Sequence, residues 1–169
     1  MKLFKASVLL LAIILTGCEK KQVSHTPKEI SSKVFEMLQN FDKKSVADYK
    51  EDVITFEELK DLANDKDIPL DEMVRNDFKA TGTKDFEESI ARDFGGITAD
   101  GAQYKIEWSK IKFVSFKEQI QEMGIGKAVL IEIYFTSQDS RKFFIKAVGI
   151  FDGKGYRLIK VGDLRPTYS

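Results

Sequence analysis

A change of hydrophobic period near Gly101 divides the chain in two and fixes its fold class. Before it, apolar residues recur every three or four positions; after it, β-branched and aromatic residues alternate along short runs. Thr26-Pro27-Lys28-Glu29 reads as a capping box with proline at the first helical position, ahead of Ile30, Val34, Met37, Leu38 and Phe41 at helical spacing. A second box, Thr55-Phe56-Glu57-Glu58, sits between Ile54 and Leu59, which are placed as a hydrophobic staple; Phe56, Leu59, Leu62 and Ala63 share one side of its helix. Leu70, Met73, Val74 and Phe78 predict a third helix after Pro69. Phe86, Ile90 and Phe94 predict a fourth, starting near Thr83 and stopped by Gly95-Gly96.

The second half predicts strands over 104–116, 128–136, 142–151 and 156–161. In the second run Val129, Ile131, Ile133 and Phe135 share one face, with Glu132 and Thr136 on the other. Turn residues separate the runs: Gly124-Ile125-Gly126, then 137–140, then Asp152-Gly153-Lys154-Gly155. The expected class is α+β, with N-terminal helices packed on a C-terminal curved antiparallel sheet of about four strands.

Composition removes several kinds of chemistry. A single Cys excludes an internal disulfide and a Cys-cluster zinc site, and a single His excludes a multi-His metal centre. No metal and no cofactor is expected. Catalytic look-alikes fail locally: Asp93-Phe94-Gly95 lacks the other kinase loops, and Gly124-Ile125-Gly126-Lys127 lacks the phosphate-loop spacing. Asp65-Lys66-Asp67 resembles the opening of a calcium loop, but Pro69 occupies the next ligand position.

The amino terminus gives an address. Lys2 and Lys5 precede an apolar run over 6–15, about half the length a bilayer span requires. It ends in Leu15-Thr16-Gly17-Cys18, which resembles the lipobox of bacterial lipoproteins. The resemblance implies cleavage between Gly17 and Cys18, acyl chains on Cys18, and a membrane-anchored position in the cell envelope. Glu19 leaves the choice of membrane open. Residues 1–17 are then a signal peptide, 18–27 a polar lipidated tether reaching about 35 Å when extended, and 28–169 a single α+β domain. His25 reads as an exposed linker residue.

Helices followed by a curled meander resemble the cone of nuclear-transport-factor-2-like and cystatin-like proteins. That likeness implies a pocket between sheet and helices, for which Tyr104, Trp108 and Tyr134 are the candidate lining. The functional expectation is a non-catalytic lipoprotein that binds a small ligand or an envelope protein partner. The alternative is a small isomerase-like or cyclase-like enzyme using Asp93 or Glu132 as a pocket acid. Charge is uneven: residues 28–100 carry net −8 and residues 101–169 net +5. These are either faces that pair in part across the fold or a basic sheet offered to an anionic partner, with Lys142, Lys146, Lys154, Arg157 and Lys160 as its candidates. Nucleic acid is not expected as a partner in the envelope.

Overall fold

Thr26 opens helix α1 (Pro27–Gln39) by accepting the Glu29 N–H on its hydroxyl at 3.2 Å. These details come from a computed structural model, which describes residues 24–123 and 126–167. The Glu29 carboxylate reaches past the cap to accept the His25 N–H at 2.7 Å, so the box closes one residue early. Helix α2 (Val46–Asp52) and helix α3 (Phe56–Asn64) each begin with a complete capping box, Ser45 with Asp48 and Thr55 with Glu58. Asp71 caps helix α4 (Glu72–Ala80) by accepting the Met73 N–H, and helix α5 spans Thr83–Gln103.

Strands β1 (Lys112–Met123), β2 (Gly126–Thr136), β3 (Lys142–Phe151) and β4 (Tyr156–Pro166) form one antiparallel sheet in the order β1-β2-β3-β4. Alternation decides what each face meets. Val129, Ile131, Ile133 and Phe135 of β2 face Gly149, Ala147, Ile145 and Phe143 of β3 across the register, and all eight are buried. They form the main core with Ile30, Val34 and Leu38 of α1, Tyr49 of α2 and Ile90 and Ile97 of α5. Each fully buried large side chain here contributes about 1.5–3 kcal/mol before conformational entropy is counted.

Among the described residues the opposite face is covered only at one end, where Ala128 and Ile150 join Ile54, Leu59, Leu62 and Leu70 in a second apolar cluster. Residues 69–71 lie against both hairpins at that end. A Cβ on Gly126 would sit 2.6 Å from the Pro69 carbonyl oxygen, so only glycine fits there. The α3–α4 pair is fastened by reciprocal caps. Arg75 of α4 donates to the carbonyls of Leu62, Ala63, Asp65 and Ile68 around the end of α3. Lys60 of α3 donates to those of Phe78, Lys79 and Thr81 at the end of α4. Each cation satisfies carbonyls that a helix end leaves without partners. The Asp65 carbonyl and side chain are both engaged in this turn, the latter by the Asp67 N–H.

Four local expectations change. Helix α5 runs through Gly95-Gly96 to Gln103, because both glycines sit exposed on its outer side while Ile97 and Gly101 continue the buried stripe. Residues 104–111 are not a strand: Lys105 takes φ 53°, a single 3₁₀ turn spans Trp108–Lys110, and β1 begins only at Lys112. The last strand continues beyond 161 to Pro166. Ordered structure already exists at Ser24, inside the stretch read as tether. Its N–H donates to the Tyr156 carbonyl at 3.3 Å, and its own carbonyl accepts the Tyr156 N–H at 2.6 Å. His25 Nδ1 meets the Lys154 carbonyl at 3.2 Å.

Candidate functional site

The uncovered part of the second sheet face collects cations around two aromatic rings. Tyr134 of β2 and Phe144 of β3 are register partners, half-exposed, with ring centroids 5.7 Å apart. Lys117 Nζ lies 5.1 Å from the Tyr134 centroid and Lys146 Nζ 5.9 Å from that of Phe144. One rung further along, Thr136 is paired with Lys112 on one side and Lys142 on the other. Neither lysine has an ion-pair partner among the described residues. Arg165 of β4 pairs with Phe144 of β3 and donates to Asp163 at 2.6 Å.

Two acids complete the face. Glu132 lies between Lys117 and Lys146 in the register and accepts the Tyr134 hydroxyl at 2.6 Å. That hydrogen bond, helped by burial, raises the phenol above its ordinary value. Asp163 sits at φ 58°, in the left-handed region that few non-glycine residues adopt. Its carboxylate accepts Lys146 at 2.8 Å and Arg165 at 2.6 Å, and the Lys146 hydrogen bond foremost holds it below the usual carboxylate range. Five cations (Lys112, Lys117, Lys142, Lys146, Arg165) therefore stand against two carboxylates. A groove of about 430 Å³ opens beside them, lined by Lys110, Lys112, Thr136 and Ser140 among others.

The three residues expected to line one pocket do not converge. Trp108 is 5 % exposed in the main core, with centroid distances of 5.5 Å to Phe41 and 6.3 Å to Phe135. A Cβ on Gly101 would lie 2.7 Å from its ring. Tyr104 packs against Phe143 at 5.4 Å, and its carbonyl accepts the Arg141 guanidinium. Tyr134 follows the opposite alternation from Phe135 and lies on the other side of the sheet. Of the two candidate acids, Asp93 is 8 % exposed at its side chain and pairs with Lys160 at 3.3 Å, while Glu132 is held by Tyr134 on the open face.

The basic residues proposed from charge alone divide similarly. Lys146 pairs with Asp163, and Lys160 with Asp93 of α5. Arg157 pairs with Asp152 at 2.8 Å and Glu58 of α3 at 3.1 Å. Acidic helices and basic sheet are thus partly neutralised across the fold; among the described residues Lys154 has no ion pair but lies in the β3–β4 turn, and on the open face Lys112, Lys142 and Lys117 are left for a partner. Sequence patterning missed Lys112, Lys117 and Phe144 because their meaning lies in the cross-strand register. A cleft of about 480 Å³ between α1 and α2 has Val34, Met37 and Leu158 as its apolar lining and Lys33, Lys44 and Asp52 at its rim.

Gly17 and Cys18 lie outside the described residues. Among the described residues, no helix is long and apolar enough to cross a membrane, and no group of three or more His, Cys, Asp or Glu side chains is placed to hold a metal ion. Comparison with protein-family models, with curated proteins and with solved structures found no match.

Proposed function

We propose that the chain is a lipid-anchored envelope protein that binds a partner through its open sheet face, without catalysis. The feature that supports this most is the face itself. Tyr134, Phe144 and a ring of cations are left uncovered on a rigid four-stranded sheet, and rigid elements position contact groups well. The lipobox-like Leu15-Thr16-Gly17-Cys18 supports the anchor. Several acyl chains at about 0.8 kcal/mol per buried methylene hold a protein on a bilayer far better than one chain does. The helix-then-meander order supports a cone-like shape similar to that of nuclear-transport-factor-2-like proteins.

The binding reading rests on where carboxylates stand. Asp93 is occupied by Lys160, and Glu132 accepts a phenol on the open face, so neither is an acid in an apolar cavity of the kind that tuned proton transfer uses. A photoreactive residue at position 144 tests the site in intact cells. Adducts to envelope material from position 144, with none from position 84 at the exposed start of α5, support it. Equal labelling from both positions, or none from either, refutes it.

A further inference from the structure

We infer that the open sheet face is a binding site for an anionic polysaccharide. A sugar ring stacks on the Tyr134–Phe144 pair, and the polymer's carboxylate or phosphate groups meet Lys112, Lys142 and Lys117. The inference deepens the proposed site by naming its ligand class.

Three observations carry it. First, the platform is aromatic: its two rings are adjacent on neighbouring strands, with centroids 5.7 Å apart and planes inclined at 36°. Aromatic faces with cations nearby suit a flat-sided anionic ligand, whereas charge alone needs no rings. Second, the cations are spaced for a chain of charges. Lys112 and Lys142 flank Thr136 one strand away on each side, which sets their backbones about 10 Å apart. Lys117 lies beyond Tyr134 along β1, and the groove beside Lys110 and Lys112 prolongs the path. A single small anion engages one part of this surface; a polymer engages all of it.

Third, the cationic end of the face lies at the far end of the sheet from Ser24. Ser24 is fastened to Tyr156 at the β3–β4 hairpin, whereas Lys112, Thr136 and Lys142 lie at the opposite end, beside the β2–β3 hairpin. Six peptide steps separate Cys18 from Ser24, a reach of roughly 20 Å. The 11 residues of β2 extend about 35 Å. Under the anchored reading the cationic end is the end of the sheet remote from the tether, which favours a wall or surface polymer over lipid headgroups. The choice of polysaccharide over nucleic acid rests on the anchored reading; the arrangement of rings and cations does not.

The mature protein in nanodiscs of neutral lipid is titrated with polygalacturonate, a carboxylated pyranose polymer. Polyglutamate, neutral dextran and oligo-deoxythymidine serve as comparisons. The expected order is polygalacturonate at least tenfold tighter than each of the others. Tyr134→Ala with Phe144→Ala should weaken it at least tenfold, and Lys112→Gln with Lys142→Gln several-fold with a shallower salt dependence. All four side chains lie at the surface, and circular dichroism checks that each variant folds. Equal binding of polyglutamate reduces the face to a charge patch and overturns the proposal. So does tighter binding of the oligonucleotide, no binding of polygalacturonate, or indifference to the aromatic substitutions. Fatty-acid labelling of Cys18 reads the anchor separately: a labelled protein that ignores the sugar polymer sinks this inference alone.

Discussion

Replacing Arg75 with Met tests whether the reciprocal caps hold the α3–α4 pair on the sheet. The substitution keeps an apolar stem and removes every donor. Four carbonyls lose the Arg75 donor, Leu62 at 3.3 Å, Ala63 at 3.0 Å, Asp65 at 2.6 Å and Ile68 at 2.7 Å, and Ile68 keeps the Leu70 N–H at 2.8 Å. The two short bonds dominate. A hydrogen bond to a charged group contributes about 1.5–3 kcal/mol net, and partial access of water to this turn reduces the sum to roughly 2 kcal/mol. Losing a cation at the end of α3 adds about 0.3–1 kcal/mol. The expected loss is about 2–3 kcal/mol, or roughly 7–10 °C in melting temperature for a domain of this size. Thermal and urea unfolding followed by circular dichroism measure it. Lys60→Met should cost a similar amount, and the double variant less than the sum, because both cations close one helical hairpin. A loss below about 0.5 kcal/mol for Arg75→Met, typical of a surface charge, would refute the reasoning.

Other outcomes follow from single contacts. Gly101→Ala places a Cβ 2.7 Å from the Trp108 ring and should destabilise by about 1–3 kcal/mol with a change in tryptophan fluorescence. Gly95→Ala, with nothing within 4 Å, should be neutral or stabilise by up to about 1 kcal/mol. For Asp152, burial opposes ionisation, but the Lys154 N–H, Arg157 and the Gly155 N–H overcome it and lower the pKa from 3.8. Its stabilisation is complete above that ordinary value and is lost as pH falls through the lower folded one. Acid unfolding of Asp152→Asn should therefore converge with that of the native chain only once pH has fallen through the lowered folded pKa. Tyr49 behaves oppositely. Burial first, then Asp93, raises its phenol well above the ordinary 10.0. Stability should be full below pH 10 and fall as pH rises further, and Tyr49→Phe should remove that slope while losing the bond to the Val161 carbonyl.

The elements with a clean period were legible in the sequence. Lys142–Phe151 is a strand with the expected bounds, and the Thr26 and Thr55 caps start helices as their chemistry requires. Helix α2 escaped because seven residues carry too few apolar positions for a stripe, although Ser45 and Asp48 spell its capping box. Gly95-Gly96 looked like a stop because propensity was weighed without burial. Two exposed glycines cost about 1 kcal/mol each, less than the packing of Ile97 and Gly101 beyond them secures. The outer half of β1 is polar because it is an edge strand with one flank open to water, so alternation fades there. The site was half legible. Tyr134 and the basic lysines could be named, but Phe144 and Lys112 join them only through strand pairing, and Trp108 belongs to the core because the 3₁₀ turn after α5 sets its ring beside Phe41 and Phe135. Lys60 and Arg75 gave no signal, since any exposed helix carries such residues.

The anchor carries the account of where this face works. Growth with an alkyne fatty acid, followed by detection on the mature chain and intact mass, tests it directly. The account predicts a labelled chain that begins at Cys18, and no label on Cys18→Ala. An unlabelled native chain, or a Cys18→Ala variant labelled as strongly as the native one, would contradict it.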